Sequence, residues 1–204
     1  KLMAIPDFYT TLTQNATAEF KDRGSKFIAY AYPVSHTDAI KTQLQMLKKE
    51  HPKAVHFCYA YRLGIDGNNF RINDDGEPSG SAGRPILQQI DSKGVTNILV
   101  VVVRYFGGTL LGVPGLINAY KTATALALQP SPTQQLPVTM SYELQYDYSR
   151  QNEVMLWVKQ MQAQVLQQEQ TLFVLLTIAI PKSRLDEALY RLQEMHFLTY
   201  RKID

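Results

Sequence analysis

Three prolines fall within nine residues, at positions 130, 132 and 137. Proline cannot continue a helix or pair inside a central strand. The polar residues between them have little to bury. Residues 129–137 therefore read as a boundary, predicting a first domain over 1–130, a linker over 131–137 and a second domain over 138–204. Charge divides in the same way. Residues 1–135 hold 14 Lys and Arg against 10 Asp and Glu, while 136–204 hold 7 against 8. With a net charge of +3 and no dense basic run, the chain permits a polyanionic partner without demanding one. A hydrophobic fraction of 45% excludes a disordered chain. The longest apolar runs, 98–103 and 172–180, fall short of the roughly 18–20 residues a membrane-spanning helix needs. The single cysteine and an N-terminus without signal-peptide character lead to the expectation of a cytoplasmic protein.

Residues 16–21 and 25–32 flank Asp22-Arg23-Gly24 and read as a hairpin. Ser35 with Asp38 suggests a capping box for an amphipathic helix to about Glu50, with Ile40, Leu44 and Leu47 on one stripe. Strands are predicted over 55–63 and 69–72, a loop over 73–83, and a helix over 85–92 closed by Gly94. The run Ile98-Leu-Val-Val-Val-Val103 within 96–104 suits a strand buried on both faces. A second glycine-rich loop, 105–113, leads to a helix over 114–128. Beyond the boundary, strands over 138–146, 165–169, 171–180 and 197–202 alternate with helices over 149–162 and from a Ser183–Asp186 capping box. The order βαββαβ is that of a ferredoxin-like split unit. The fold class is two-domain α+β.

Asn73–Gly83 packs Asp74, Asp75 and Glu77 among three glycines. Carboxylates there suit a hard cation or a hydrogen-bonded ligand, and the same composition equally suits plain turn chemistry. The loop after Arg104 joins a strand to a helix N-terminus, a place where backbone N–H groups can meet an anion. It is neither a P-loop nor a dinucleotide fingerprint, and its glycines equally suit close backbone packing. His56, Cys58 and Arg62 share one face of their strand, opposite Phe57, Tyr59 and Tyr61. A His-x-Cys pair invites a metal or Cys–His catalysis, but without a second cysteine or nearby histidine at ligand spacing it suits a buried thiol beside a satisfied imidazole better.

Taken together, Asp74-Asp-Gly-Glu-Pro-Ser-Gly-Ser-Ala-Gly-Arg-Pro-Ile-Leu87 and Val100-Val-Val-Val-Arg-Tyr-Phe-Gly-Gly108 resemble the paired signatures of the IMPACT/YigZ family. Ala54-Val-His-Phe-Cys-Tyr-Ala-Tyr-Arg62 and Gly112-Val-Pro-Gly-Leu-Ile-Asn-Ala-Tyr120 are similar to the family's adjoining strand and helix. The resemblance implies an N-terminal left-handed βαβ domain of the ribosomal-protein and elongation-factor type, followed by a ferredoxin-like domain. Eukaryotic members regulate translation by binding the activator of a stress-responsive initiation-factor kinase, through an extra domain. For this chain the resemblance implies a non-catalytic regulatory protein linked to translation, with RNA or the ribosome as partner and a protein partner as a further possibility.

On that reading no catalytic residue, metal or cofactor is expected, nor any membrane association. Arg62, Arg84, Arg104, Gly107, Gly108 and Lys121 are the expected nucleic-acid or anion-binding positions. The signature loop, with Asp74, Asp75, Gly76, Glu77, Pro78, Ser79, Gly80 and Gly83, is expected to brace that site through Arg62 or Arg104. The chain departs from the usual pattern at Leu110, Pro114 and Asn118, and many relatives carry Lys at the first and Arg at the last. The rival classes are a peptidase-like or phosphate-ester hydrolase using the acidic loop with His56 and Cys58, and a protein-only adaptor.

Overall fold

The computed structural model describes residues 5–203. Tyr9–Leu136 cluster as one compact unit, and Pro6–Phe8 with the chain from Pro137 as a second. The architecture is two-domain α+β.

The first unit runs β1 (Phe8–Leu12), β2 (Ala16–Asp22), β3 (Ser25–Pro33), α1 (Thr37–Glu50), β4 (His56–Leu63), β5 (Asn69–Asn73), α2 (Gly83–Lys93), β6 (Ile98–Tyr105), α3 (Gly112–Leu128) and β7 (Thr133–Pro137). Five strands form an antiparallel sheet in the order β2-β3-β6-β4-β5. The valine-rich β6 lies at its centre, and Ile98 to Val103 are all fully buried. Strand alternation sorts the side chains. Phe27, Ala29, Cys58, Ala60, Val100 and Val102 join the core that includes Ile86 and Ile90 of α2 and Ala119 and Tyr120 of α3. Phe57, Leu99, Val101 and Val103 join the core that includes Ile40 and Leu47 of α1. A β-branched run is needed because both faces of β6 are covered.

The β2–β3 hairpin closes through Arg23 and Gly24, both at positive φ, in the two-residue turn that matches strand twist. The expected cap at Ser35 is replaced by His36, whose extended backbone lets Nδ1 accept from Ala39 N at 3.2 Å. The proline-rich boundary is also more ordered than a linker. Its last five residues form β7, which pairs with β1 in a two-stranded ribbon. The proline rule itself holds, because Pro130 and Pro132 precede the strand, Pro137 ends it, and a two-strand ribbon has no central strand.

The second unit runs β8 (Thr139–Tyr146), α4 (Gln151–Gln160), β9 (Gln164–Gln170), β10 (Val174–Pro181), α5 (Leu185–Glu194) and β11 (Leu198–Ile203). Its antiparallel sheet has the order β11-β8-β10-β9, the ferredoxin-like arrangement of a βαββαβ chain. Leu144, Tyr146, Leu176 and Ile178 meet Val154, Trp157 and Val158 of α4 in its core. The Ser183 capping box does not form. Residues 182–184 already coil in a 3-10 turn, and Arg184 occupies the cap position without a side-chain bond. Among the described residues, no helix is long and apolar enough to cross a membrane.

Candidate functional site

Sheet register sets the site. Arg104 on β6 pairs with Phe27 of β3 and His56 of β4, and the next row in the same face is Ala29, Val102 and Cys58. The acidic loop 73–83 folds over this end of the sheet, and α3 brings in Tyr120.

Each loop carboxylate has a separate task. Asp74 accepts from the backbone N–H groups of Gly80 (2.9 Å), Ala82 (3.1 Å) and Gly83 (2.8 Å). It thereby satisfies orphan donors at the start of α2, where Ala82 at the cap position supplies no side-chain acceptor. Asp75 Oδ2 accepts from Phe57 N at 2.7 Å, and its carbonyl lies 2.7 Å from His56 Nδ1. Its left-handed backbone is held by Asn73 Oδ1, which accepts from Asp75 N at 2.7 Å. Glu77 is buried and its Oε1 accepts from Arg104 Nη1 at 2.5 Å and from the Tyr120 hydroxyl at 2.7 Å. His56 Nε2 stands 3.8 Å from the same oxygen. Ser81 is buried and donates to Pro78 O, whereas Ser79 is exposed.

Arg104 is only 5% exposed. Besides Glu77 it reaches Ser25 Oγ at 3.5 Å, and its guanidinium lies over the rings of Phe27 and Phe106. The expectation of a ligand-facing Arg104 is therefore corrected, because a β6 side chain on this face points into the core beneath the loop. Of the two residues expected to brace the acidic loop, Arg104 does so through Glu77 and Arg62 does not. Arg62 sits six residues along β4 from His56 and bonds Asp91 of α2 at 2.8 Å and Gly67 O at 2.7 Å. Arg84, in the first turn of α2, and Lys121, on α3, are exposed.

Cys58 Sγ lies 3.0 Å from Asp74 O and 3.3 Å from the Tyr120 hydroxyl. Burial is the main cause pushing this thiol well above its ordinary range, and the loop carboxylates push the same way. The Tyr120 hydroxyl is likewise raised, chiefly by burial and then by Cys58 and Glu77. A thiol held protonated is a poor nucleophile and a poor metal ligand. Among the described residues, no group of three His, Cys, Asp or Glu side chains is arranged to hold a metal ion.

The second loop is fixed by contact with the β2–β3 turn. Gly107 N donates to Ser25 Oγ at 3.1 Å, and a Cβ on Gly107 would fall 1.9 Å from the Gly24 carbonyl carbon. Glycine is obligatory there because two backbones touch. Gly108 follows at positive φ. Arg23 Nη2 donates to Leu111 O at 3.2 Å, tying the turn to the start of α3. Phe106, Leu110, Val113 and Ile117 are left exposed on this segment. Sequence reasoning did not single out Tyr120, Ser25, Arg23 or Phe106. Tyr120 alone had a readable signal, being a phenol on a stripe of Leu116, Ala119 and Ala123 that needs a buried partner for its hydroxyl.

Residues 23–128 match the Impact N-terminal domain. The chain is 35% identical to the IMPACT family member YigZ of Escherichia coli over 80% of its own length and 81% of that protein's. It is 33% identical to an IMPACT family member of Haemophilus influenzae over 71% of each. A crystal structure of a hypothetical protein superposes with a TM-score of 0.78 at 30% identity, covering 98% of both chains. The loop network lies within the matched domain, and the relatives extend across both units: the chain belongs to the IMPACT family.

Proposed function

We propose that this protein is a non-catalytic regulator of translation that binds RNA or the ribosome, with the surface around 105–121 of its first unit as the binding face. The reading rests on one observation above all. The groups that would have to perform hydrolysis are already engaged with each other. Asp74 caps a helix, Asp75 holds a strand N–H, Glu77 neutralises Arg104, and Cys58 is kept as a thiol. Such a network fixes the position of two loops and leaves their outer surface to make contacts. Family membership supports the link to translation, and charge supports the choice of face. No Asp or Glu occurs from Ser92 to Tyr142, a stretch that includes the second loop and all of α3.

Within this reading Arg104 and Glu77 are positioning residues, and Lys121 is the exposed charge on α3 that meets phosphate. The protein acts in the cytoplasm, without cofactor. Co-sedimentation of the intact chain with ribosomes of its own host, across a salt titration, tests it. Saturable binding that weakens with salt and with Lys121→Glu is the expected result. No binding at low salt refutes the proposal in its ribosomal form. Stoichiometric divalent metal in the purified protein, with peptidase or phosphatase turnover, would move the assignment to the hydrolase class.

A further inference from the structure

The binding face has an unusual make-up for a phosphate-reading surface. It carries few charges and several exposed apolar groups. Phe106 is 49% exposed, between the buried Arg104 and the Gly107 contact with the hairpin turn. Its ring is backed by the Arg104 guanidinium at 5.7 Å, and that guanidinium is locked in turn by Glu77. The ring is therefore seated on a fixed base with part of its surface open. Leu110 is 83% exposed, and Val113 and Ile117 form an exposed stripe along α3 that continues, at the same spacing, to Lys121. Arg23, bonded to Leu111 O, borders the same loop. Its charge is only partly offset by Asp22 at 3.4 Å.

From this we infer that the face takes single-stranded rather than duplex RNA, with Phe106 as the stacking platform for one base and Arg23 and Lys121 as its phosphate contacts. The inference rests on the proposed function and deepens it. An aromatic ring is useful only to a base whose π-face is open, and a duplex keeps its base faces stacked on one another. The loop and α3 carry no acidic residue, and Asp22 offsets Arg23 only in part, which favours a polyanion over a basic protein surface. Two phosphate contacts on a single strand give a salt slope of about −1.4, much shallower than a groove lined with lysines would show.

The test is fluorescence anisotropy of the full chain with a labelled 12-nucleotide single-stranded RNA and with the same sequence as a duplex. Phe106→Ala, Phe106→Leu and Phe106→Tyr are compared, each with circular dichroism to verify folding and ribosome co-sedimentation run in parallel. The expected result is preference for the single strand, a loss of roughly five- to a hundred-fold in Phe106→Ala and Phe106→Leu, and near-normal binding in Phe106→Tyr. Leucine keeps the apolar contact and loses the stack, so normal binding by Phe106→Leu overturns the inference. Equal or stronger duplex binding also overturns it. If the wild type ignores the free RNA yet still sediments with ribosomes, stacking falls while the proposed function stands, and a protein surface becomes the occupant. If neither binding is seen, both fall.

Discussion

Glu77 and Arg104 form a buried pair whose removal should be costly in a way that distinguishes it from ordinary surface ion pairs. Their side chains are only 4% and 6% exposed. Glu77→Leu leaves a guanidinium among Phe27, Phe106 and Ser25, and it also takes the acceptor away from Tyr120. Breaking such a pair by removing one partner costs about 3–5 kcal/mol, since the remaining charge is desolvated and uncompensated. Arg104→Met should cost a similar amount by exposing the mirror problem at Glu77. The double variant should lose less than either single, because no buried charge is left over. Urea unfolding followed by far-UV circular dichroism gives the three values. Trp157 fluorescence reports the second unit, which contains neither residue. Single-variant losses below about 1 kcal/mol that simply add in the double variant would refute the brace, and with it the argument that Arg104 acts by positioning.

Alkaline stability gives a second test. Cys58 and Tyr120 have their acid dissociation raised by folding, from ordinary values of 9.0 and 10.0. Their contribution is thus fully present below about pH 9 and is lost as pH rises toward the folded values, at up to about 1.4 kcal/mol per pH unit for each group. Cys58→Ala should flatten the decline that begins near pH 9, and an unchanged profile would contradict the burial described. Gly107→Ala should destabilise the first unit by more than about 2 kcal/mol, because a Cβ 1.9 Å from the Gly24 backbone forces the loop off the hairpin. Thermal melts and RNA binding should fail together in that variant. Ser183→Ala should change stability by no more than about 0.5 kcal/mol, since Ser183 caps nothing. A loss near 1 kcal/mol would restore the capping box.

What was legible in the sequence is what periodicity controls. Alternation on β3 and β4 and the β-branched run of β6 placed the sheet and assigned Cys58 and Phe57 to opposite faces. The element order alone was enough to recognise the second unit as ferredoxin-like. The misses share a different cause, which is that a local pattern has more than one geometric outcome. Ser35 and Ser183 each stand three residues before an Asp, yet an extended His36 and a 3-10 turn moved the caps. The ribbon of β1 and β7 joins segments more than a hundred residues apart, and no local signal announces it. The sequence leaves the loop brace open between Arg62 and Arg104; the structure takes Arg104, through Glu77 27 residues away, and so buries a charge also expected to face a ligand.

The signature residues Glu77, Arg104 and Gly107 are those that lock the two loops together, and each is buried or pressed against backbone. Leu110, Pro114 and Asn118, the departures that the family resemblance implies, are all exposed. A match at those three positions of the lock therefore reports that the loops are held in place, while Phe106, in the same signature run, is 49% exposed. On the proposed function, ligand preference would reside in the exposed set of Arg23, Phe106, Leu110, Val113, Ile117 and Lys121. Replacing Leu110 by Lys should leave folding intact, because the side chain is 83% exposed. On a single strand it should steepen the salt slope of RNA binding by about 0.7 for the added phosphate contact. A slope that stays put would place Leu110 outside the RNA path and confine the binding face to Phe106 and the α3 stripe.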